Sequence, residues 1–193
     1  GELLLPDQLI DRTNRRIGTF FDDVAVHVEF AQPFCESVRT VLKTAASTLT
    51  GTTVHPRGTY VVMEGPAFST RAESDLHRAW GADLIGMTAL PEAKLAREAG
   101  LCYAAISLPT DYDCWRPHDG GREALLQEIR GNMVKATAAA MSLVRAALPS
   151  VAKLIGTPCH CQHALDDALF TDPKAISEAA RKRHELLFAR RLK

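Results

Sequence analysis

Thr59-Tyr60-Val61-Val62-Met63-Glu64-Gly65-Pro66-Ala67-Phe68-Ser69-Thr70-Arg71-Ala72-Glu73 is the stretch on which the fold turns. It opens with a β-rich run, Thr59 to Met63, and breaks at Glu64-Gly65-Pro66, a turn signal. Thr70 followed three residues later by Glu73 fits a capping box, in which the two residues satisfy each other's free backbone N–H groups. A helix is therefore predicted from there to Trp80, with Gly81 just past its end. Strand, turn and capped helix in that order are the building unit of an α/β fold.

The same alternation continues outward. Leu84 to Met87 reads as a short strand. Pro91 suits a first helical position, and Gly100 closes the helix that follows. Leu101 to Leu108 is apolar with little polar alternation, as expected of a buried central strand. Upstream, Leu3 to Leu5 and Val24 to Val28 are strand-like. Phe34 to Thr48, after Pro33, carries Val38, Val41, Leu42 and Ala45 at helical spacing. Downstream, Glu123 to Leu148 holds a long helical stripe closed by Pro149, and a last helix is predicted to begin at Asp172-Pro173. The basic end, Arg181 to Lys193, is interrupted by Leu186, Leu187, Phe188 and Leu192, so it reads as an amphipathic helix. Residues 1–193 read as one domain without internal repeats. The chain opens almost directly in a strand, which points to an upstream part outside these residues.

Lys plus Arg and Asp plus Glu both number 23, so the formal net charge is zero. Such a chain has no general attraction for nucleic acid or an anionic membrane surface. No apolar run approaches the roughly 20 residues of a membrane span. Five cysteines at scattered positions do not resemble a secreted disulfide framework, which points to the cytoplasm.

Three segments follow predicted strands, where α/β proteins place ligands. They are Glu64 to Thr70, Gly86-Met87-Thr88, and Thr110-Asp111-Tyr112-Asp113-Cys114-Trp115. They offer an aromatic face, hydroxyls and two carboxylates. An exposed ring can stack on a flat heterocycle. A carboxylate accepts from an exocyclic amine and, when protonated, donates to a ring nitrogen. Taken singly, each has an ordinary alternative. Phe68 could be core, Thr88 a helix cap, and Asp111 with Asp113 a solvated turn.

Taken together and in order, these segments resemble methylthioadenosine phosphorylases. The match runs through Glu64 to Glu73, Trp80-Gly81-Ala82-Asp83-Leu84-Ile85-Gly86-Met87-Thr88, Pro91 to Gly100 and Thr110 to Trp115. It also takes in Gly1 to Thr13 and Gln32-Pro33-Phe34-Cys35. The resemblance implies an α/β fold, a three-layer αβα sandwich with a mixed sheet of the nucleoside phosphorylase type, of which these residues form the C-terminal two-thirds. It implies a pentosyltransferase that splits 5'-methylthioadenosine with inorganic phosphate into adenine and 5-methylthioribose 1-phosphate. No organic cofactor or metal is implied, and the usual assembly is a homotrimer with a site at each subunit interface.

The resemblance also assigns roles. Phe68 packs against the purine, Met87 lines the ribose and Thr88 hydrogen-bonds phosphate. Asp111 and Asp113 read the base edge and serve as the catalytic pair, with Asp111 holding a proton near N7. Ser69 matches a position tied to substrate preference. His27 reaches into the neighbouring subunit's site, and Leu125 and Leu126 flank the methylthio group. Asparagine in place of the carboxylates would favour a 6-oxopurine, because its amide can donate to O6.

Two departures stand out. The loop Arg116 to Arg122 is shorter than in relatives. The family's Gly-rich phosphate loop, Arg-His pair and second phosphate-binding threonine lie upstream of the matched region, outside residues 1–193. Thr88 alone would hold a dianion poorly. A 6-oxopurine nucleoside phosphorylase, or a non-catalytic purine-binding or assembly fragment, are the alternative readings. Cys159-His160-Cys161 leaves three possibilities open: structural thiols, a disulfide such as some family members form from a similar pair, or a metal site. The spacing is not standard for zinc, and the sequence shows no partner pair.

Overall fold

A computed structural model describes residues 1–188. Its strands are β1 (Leu3–Leu4), β2 (Gln8–Arg12), β3 (Val54–His55), β4 (Thr59–Met63) and β5 (Leu84–Gly86). Its α-helices are α1 (Glu36–Ala46), α2 (Arg71–Ala79), α3 (Ala89–Glu98), α4 (Gly121–Ala152), α5 (Glu178–Arg183) and α6 (Glu185–Phe188).

The decisive stretch folds as its sequence dictates. The predicted strand Thr59–Met63 forms at those bounds as β4, with Val61 and Val62 fully buried. The capping box at the start of α2 is complete: the Thr70 hydroxyl accepts from the Glu73 N–H, and the Glu73 carboxylate accepts from the Thr70 N–H. Gly81, just beyond α2, takes a positive φ of 79°, which a residue with a Cβ rarely adopts.

β4 is the middle strand of the order β2-β4-β5, and both pairings are parallel. β1 and β3 form a second parallel pair. Antiparallel pairing occurs as single bridges, Leu4 to Ser107 and Val26 to Leu169. Leu3 and Leu5 pack with Leu42 and Ala45 of α1 and with Ala136, Leu143 and Ala147 of α4. Arg39, buried on α1, fixes this layer by donating to the carbonyls of Pro6 and Pro56, both at 2.9 Å. A second cluster joins Tyr60 and Val62 of β4 to Ala89, Leu90 and Ala93 of α3. A third, near the C-terminus, unites Phe21, Leu165, Ile176 and Phe188.

Five expectations change. Leu101 to Leu108 is not a buried strand: Leu101 and Cys102 are exposed, and one bridge, at Ser107, forms. Alternation was absent from the sequence, yet a strand also needs a partner ladder, and here the Tyr103 carbonyl is taken by the Cys35 N–H at 2.7 Å. Val24 to Val28 is likewise reduced to the bridge at Val26, within the C-terminal cluster. Pro149 lies inside α4 rather than closing it. In the last turn of a long helix, a missing N–H removes one bond, and the helix runs three residues further. Asp172-Pro173 begins only a short 3-10 turn. The next helix starts at α5, where the Ser177 hydroxyl accepts from the Ala180 N–H. The basic end is broken at His184, between α5 and α6; Leu186 is exposed there and Phe188 is buried, while Leu192 lies outside the described residues. Among the described residues, no helix is long and apolar enough to cross a membrane.

Candidate functional site

Parallel neighbours end at the same edge of a sheet, so the turns after β2, β4 and β5 come out side by side. Arg12 pairs with Met63, and Val62 with Gly86. Arg16, just beyond β2, gathers them. Its Nη2 donates to the Met63 and Glu64 carbonyls at 3.1 and 2.8 Å, and its Nη1 donates to the carbonyls of Met87 and Leu90. One guanidinium thus satisfies four carbonyls, from the end of β4, the turns after β4 and β5, and the start of α3. The Glu64 carboxylate lies 3.6 Å from Arg16 Nε. It accepts from the Asn14 N–H at 2.9 Å and the Arg15 N–H at 3.4 Å. Those bonds, the Asn14 one foremost, hold its carboxyl below the usual range. Sequence reading missed Arg16; its only signal was the arginine pair Arg15-Arg16 in a loop just past a strand end.

The turn geometry leaves little freedom. Gly65 has a φ of 71°, and a Cβ there would stand 2.6 Å from the Met87 sulfur. A Cβ on Gly86 would stand 2.3 Å from the Tyr60 hydroxyl. That hydroxyl lies 3.4 Å from Thr88 Oγ1. Thr88 occupies the N-cap position of α3 yet makes no side-chain capping bond, so its exposed hydroxyl is not committed to the helix.

Phe68 is 85% exposed, which removes the core alternative and leaves an open aromatic face. Ser69, next to it, is half-buried, with its hydroxyl 3.9 Å from the Met63 sulfur. The Thr110-to-Trp115 segment reaches this same turn: the Cys114 thiol donates to the Ser69 carbonyl at 3.4 Å. Two further contacts secure the segment. Arg78 of α2 lies over the Trp115 ring, 4.1 Å from its centroid, and Asn132 of α4 donates to the Thr110 carbonyl at 2.8 Å. Asn132 is a second positioning residue absent from the sequence reading.

Asp111 is exposed, and its Oδ1 accepts from the Asp113 N–H at 2.8 Å. The turn alternative is thus realised, and it also fixes the carboxylate. The Thr110 hydroxyl donates to the other oxygen, Oδ2, at 3.1 Å. Asp113 is half-buried and takes a φ of 57°, a left-handed conformation that Asp tolerates better than most residues. Such backbone settings collect at functional turns.

Three predicted residues stand away from these turns. His27 is exposed at the edge of the C-terminal unit, where its ring meets Phe170 edge-on with centroids 4.9 Å apart. Leu125 is half-buried and Leu126 exposed, in the first two turns of α4. What the strand ends bring together is a flat apolar ring, hydroxyls and carboxylates, a set suited to a planar heterocycle carrying hydrogen-bond donors.

The sequence profile of the Phosphorylase superfamily matches residues 1–149. An S-methyl-5'-thioadenosine phosphorylase of Geobacter sulfurreducens is 45% identical over 189 residues, 97% of this chain and 64% of its own length. One from Synechocystis is 44% identical over 98% of this chain and 58% of its own length. Among solved structures, a methylthioadenosine phosphorylase from an antarctic soil metagenomic library superposes with a TM-score of 0.85 at 40% identity, covering 96% of this chain and 65% of that one. The Schistosoma mansoni methylthioadenosine phosphorylase, in complex with adenine, gives a TM-score of 0.73 at 30% identity, covering 88% of this chain and 66% of that one. The chain spans between 58% and 66% of the length of these relatives, less than two thirds in each case.

Proposed function

The chain belongs to the Phosphorylase superfamily, and we propose that it forms the purine-binding side of an enzyme that cleaves 5'-methylthioadenosine with phosphate. The products are adenine and 5-methylthioribose 1-phosphate, which places the activity in purine and methionine salvage. One observation carries this reading: the exposed Phe68 ring and the Asp111–Asp113 turn meet through the Cys114–Ser69 bond at the strand ends.

Adenine anion is a poor leaving group, so the barrier falls when N7 is protonated as the glycosidic bond breaks. Asp111 holds that proton, while Asp113 accepts from the 6-amino group. Phe68 covers the base, Met87 lines the ribose, and Ser69 tunes substrate preference. Thr88 donates one hydrogen bond to phosphate, whose other donors come from outside residues 1–193. The phosphate anion stabilises the developing oxocarbenium charge. Inorganic phosphate is the co-substrate, and no organic cofactor or metal acts at the reacting atoms. His27, Leu125 and Leu126 complete the 5' end of the site across the interface of a cytoplasmic homotrimer.

The paired carboxylates favour adenine over a 6-oxopurine, which offers an acceptor at O6. The test is release of adenine from 5'-methylthioadenosine with and without phosphate, with inosine in parallel. Release should require phosphate and favour methylthioadenosine. Faster turnover of inosine, or release independent of phosphate, would overturn the proposal.

A further inference from the structure

Four of the five cysteines converge at one place. Cys35 stands at the N-cap of α1, Cys102 follows the glycine that ends α3, and Cys159 and Cys161 lie after α4. Their four sulfurs all lie within 4.8 Å of one another. Cys35 and Cys159 are 3.8 Å apart. Metal–sulfur bonds of about 2.3 Å in a tetrahedral zinc site give sulfur–sulfur edges of about 3.8 Å. The sulfurs thus already stand close to the edges of such a tetrahedron. None of the five cysteines is in a disulfide.

The surroundings suit a cation held by thiolates. Cys35 and Cys161 are buried, Cys159 is half-buried, and Cys102 is exposed, which leaves a path for entry. Four thiolates around a divalent ion carry an excess of negative charge, so neighbouring donors and cations matter. Cys35 sits at the positive end of α1. The Cys161 backbone N–H is directed to the Cys159 sulfur, and the buried Arg97 guanidinium lies near Cys161. The end of α3 lies against this turn: a Cβ on Gly100 would make an ordinary contact, 3.5 Å from the Cys161 carbonyl oxygen.

We propose that Cys35, Cys102, Cys159 and Cys161 bind one zinc ion in a closed tetrathiolate site. Soft thiolates select zinc over magnesium or calcium. With all four positions filled by protein, the ion has no open site for substrate, and its role is structural. It ties the segment after α4 to the start of α1 and the end of α3. Each thiol yields its proton to solvent as its zinc–sulfur bond forms, and no electron is transferred. The competing outcome, two disulfides, would need an oxidant to take four electrons and the sulfurs to close to about 2.05 Å.

The test uses the complete protein, purified without an affinity tag or chelator. Zinc is measured by mass spectrometry of the elements, and thiols by peptide mass mapping after alkylation in denaturant. About one zinc per chain is expected, with the five cysteines of residues 1–193 all alkylated once the metal is removed. Cobalt(II) in its place should give the visible spectrum of a tetrahedral tetrathiolate. Cys102→Ser alters the exposed ligand, so its fold is the least disturbed. It should lower bound zinc to below about a tenth per chain, while Cys114→Ser, outside the cluster, keeps it. A native chain with no zinc overturns the proposal, whether its thiols are free or its mass shows two disulfides. So does a folded Cys102→Ser chain that still holds a full equivalent.

Discussion

The strand-end site and the cysteine cluster are built in opposite ways. The first is assembled from turns that leave adjacent strands, and a single arginine holds several of their carbonyls. Its working groups face solvent: an exposed ring, an exposed hydroxyl and an exposed carboxylate. The second draws one cysteine from position 35, one from 102 and two from beyond 158, and buries two of the four. A site that must admit a ligand is left open by the sheet edge, whereas a site that fastens the chain to itself is closed by the packing of distant segments. The difference predicts that the two can be disturbed separately.

Arg16→Ala should have the largest effect on the first region. Four carbonyls lose a charged donor, and unfolding in urea should show a loss of about 3 kcal/mol. Bound zinc should stay near one per chain. If the metal is lost as well, the two regions form one cooperative unit and the contrast fails.

Asp111→Asn sharpens the reading of the open site. With the proposed proton donor to N7 removed, kcat/KM for the adenine nucleoside should fall about 100-fold, with a much smaller change for inosine. Equal losses on both substrates would remove Asp111 from base recognition. Phe68→Ala should act more mildly, raising KM about 10-fold at nearly constant kcat, because stacking holds substrate and transition state alike. A defect confined to kcat would contradict that role.

The smallest effect is expected from Glu64→Gln, and its pH dependence is its signature. Hydrogen bonds from Asn14 and Arg15 hold the Glu64 carboxyl below its ordinary value of 4.5 in the folded state. The carboxylate therefore favours folding above that value, and the benefit disappears as pH falls through the lowered one. Wild type should be slightly more stable than Glu64→Gln at pH near 7, and the gap should close on acidification. A gap that widens in acid would reverse the sign of this assignment.

The parts legible in the sequence were those with a local cause. Thr70 and Glu73 lie one helical turn apart, so the box that starts α2 could be read directly. β4 was equally plain, because five β-rich residues precede an unmistakable turn. Leu101 to Leu108 misled because apolar character reports a tendency to leave water, not the presence of a hydrogen-bonding neighbour. Pro149 misled because the cost of proline in a helix depends on its position, and the last turn has few bonds to lose. Arg16 and Asn132 were invisible because their partners are backbone carbonyls, which no residue identity announces.

By itself the sequence determined the α/β alternation, the capped helix after β4 and the three chemically suggestive turns. Each follows from side chains and backbone groups within a few residues of one another. Only the tertiary structure decided that Phe68 stands in solvent, that Arg16 binds the turns together, and that Cys159 and Cys161 have the partner pair their spacing lacked. Those outcomes depend on contacts between residues far apart in the chain, such as Cys35 and Cys159, 124 positions apart. Such contacts are set by how whole layers pack, and no local pattern encodes them.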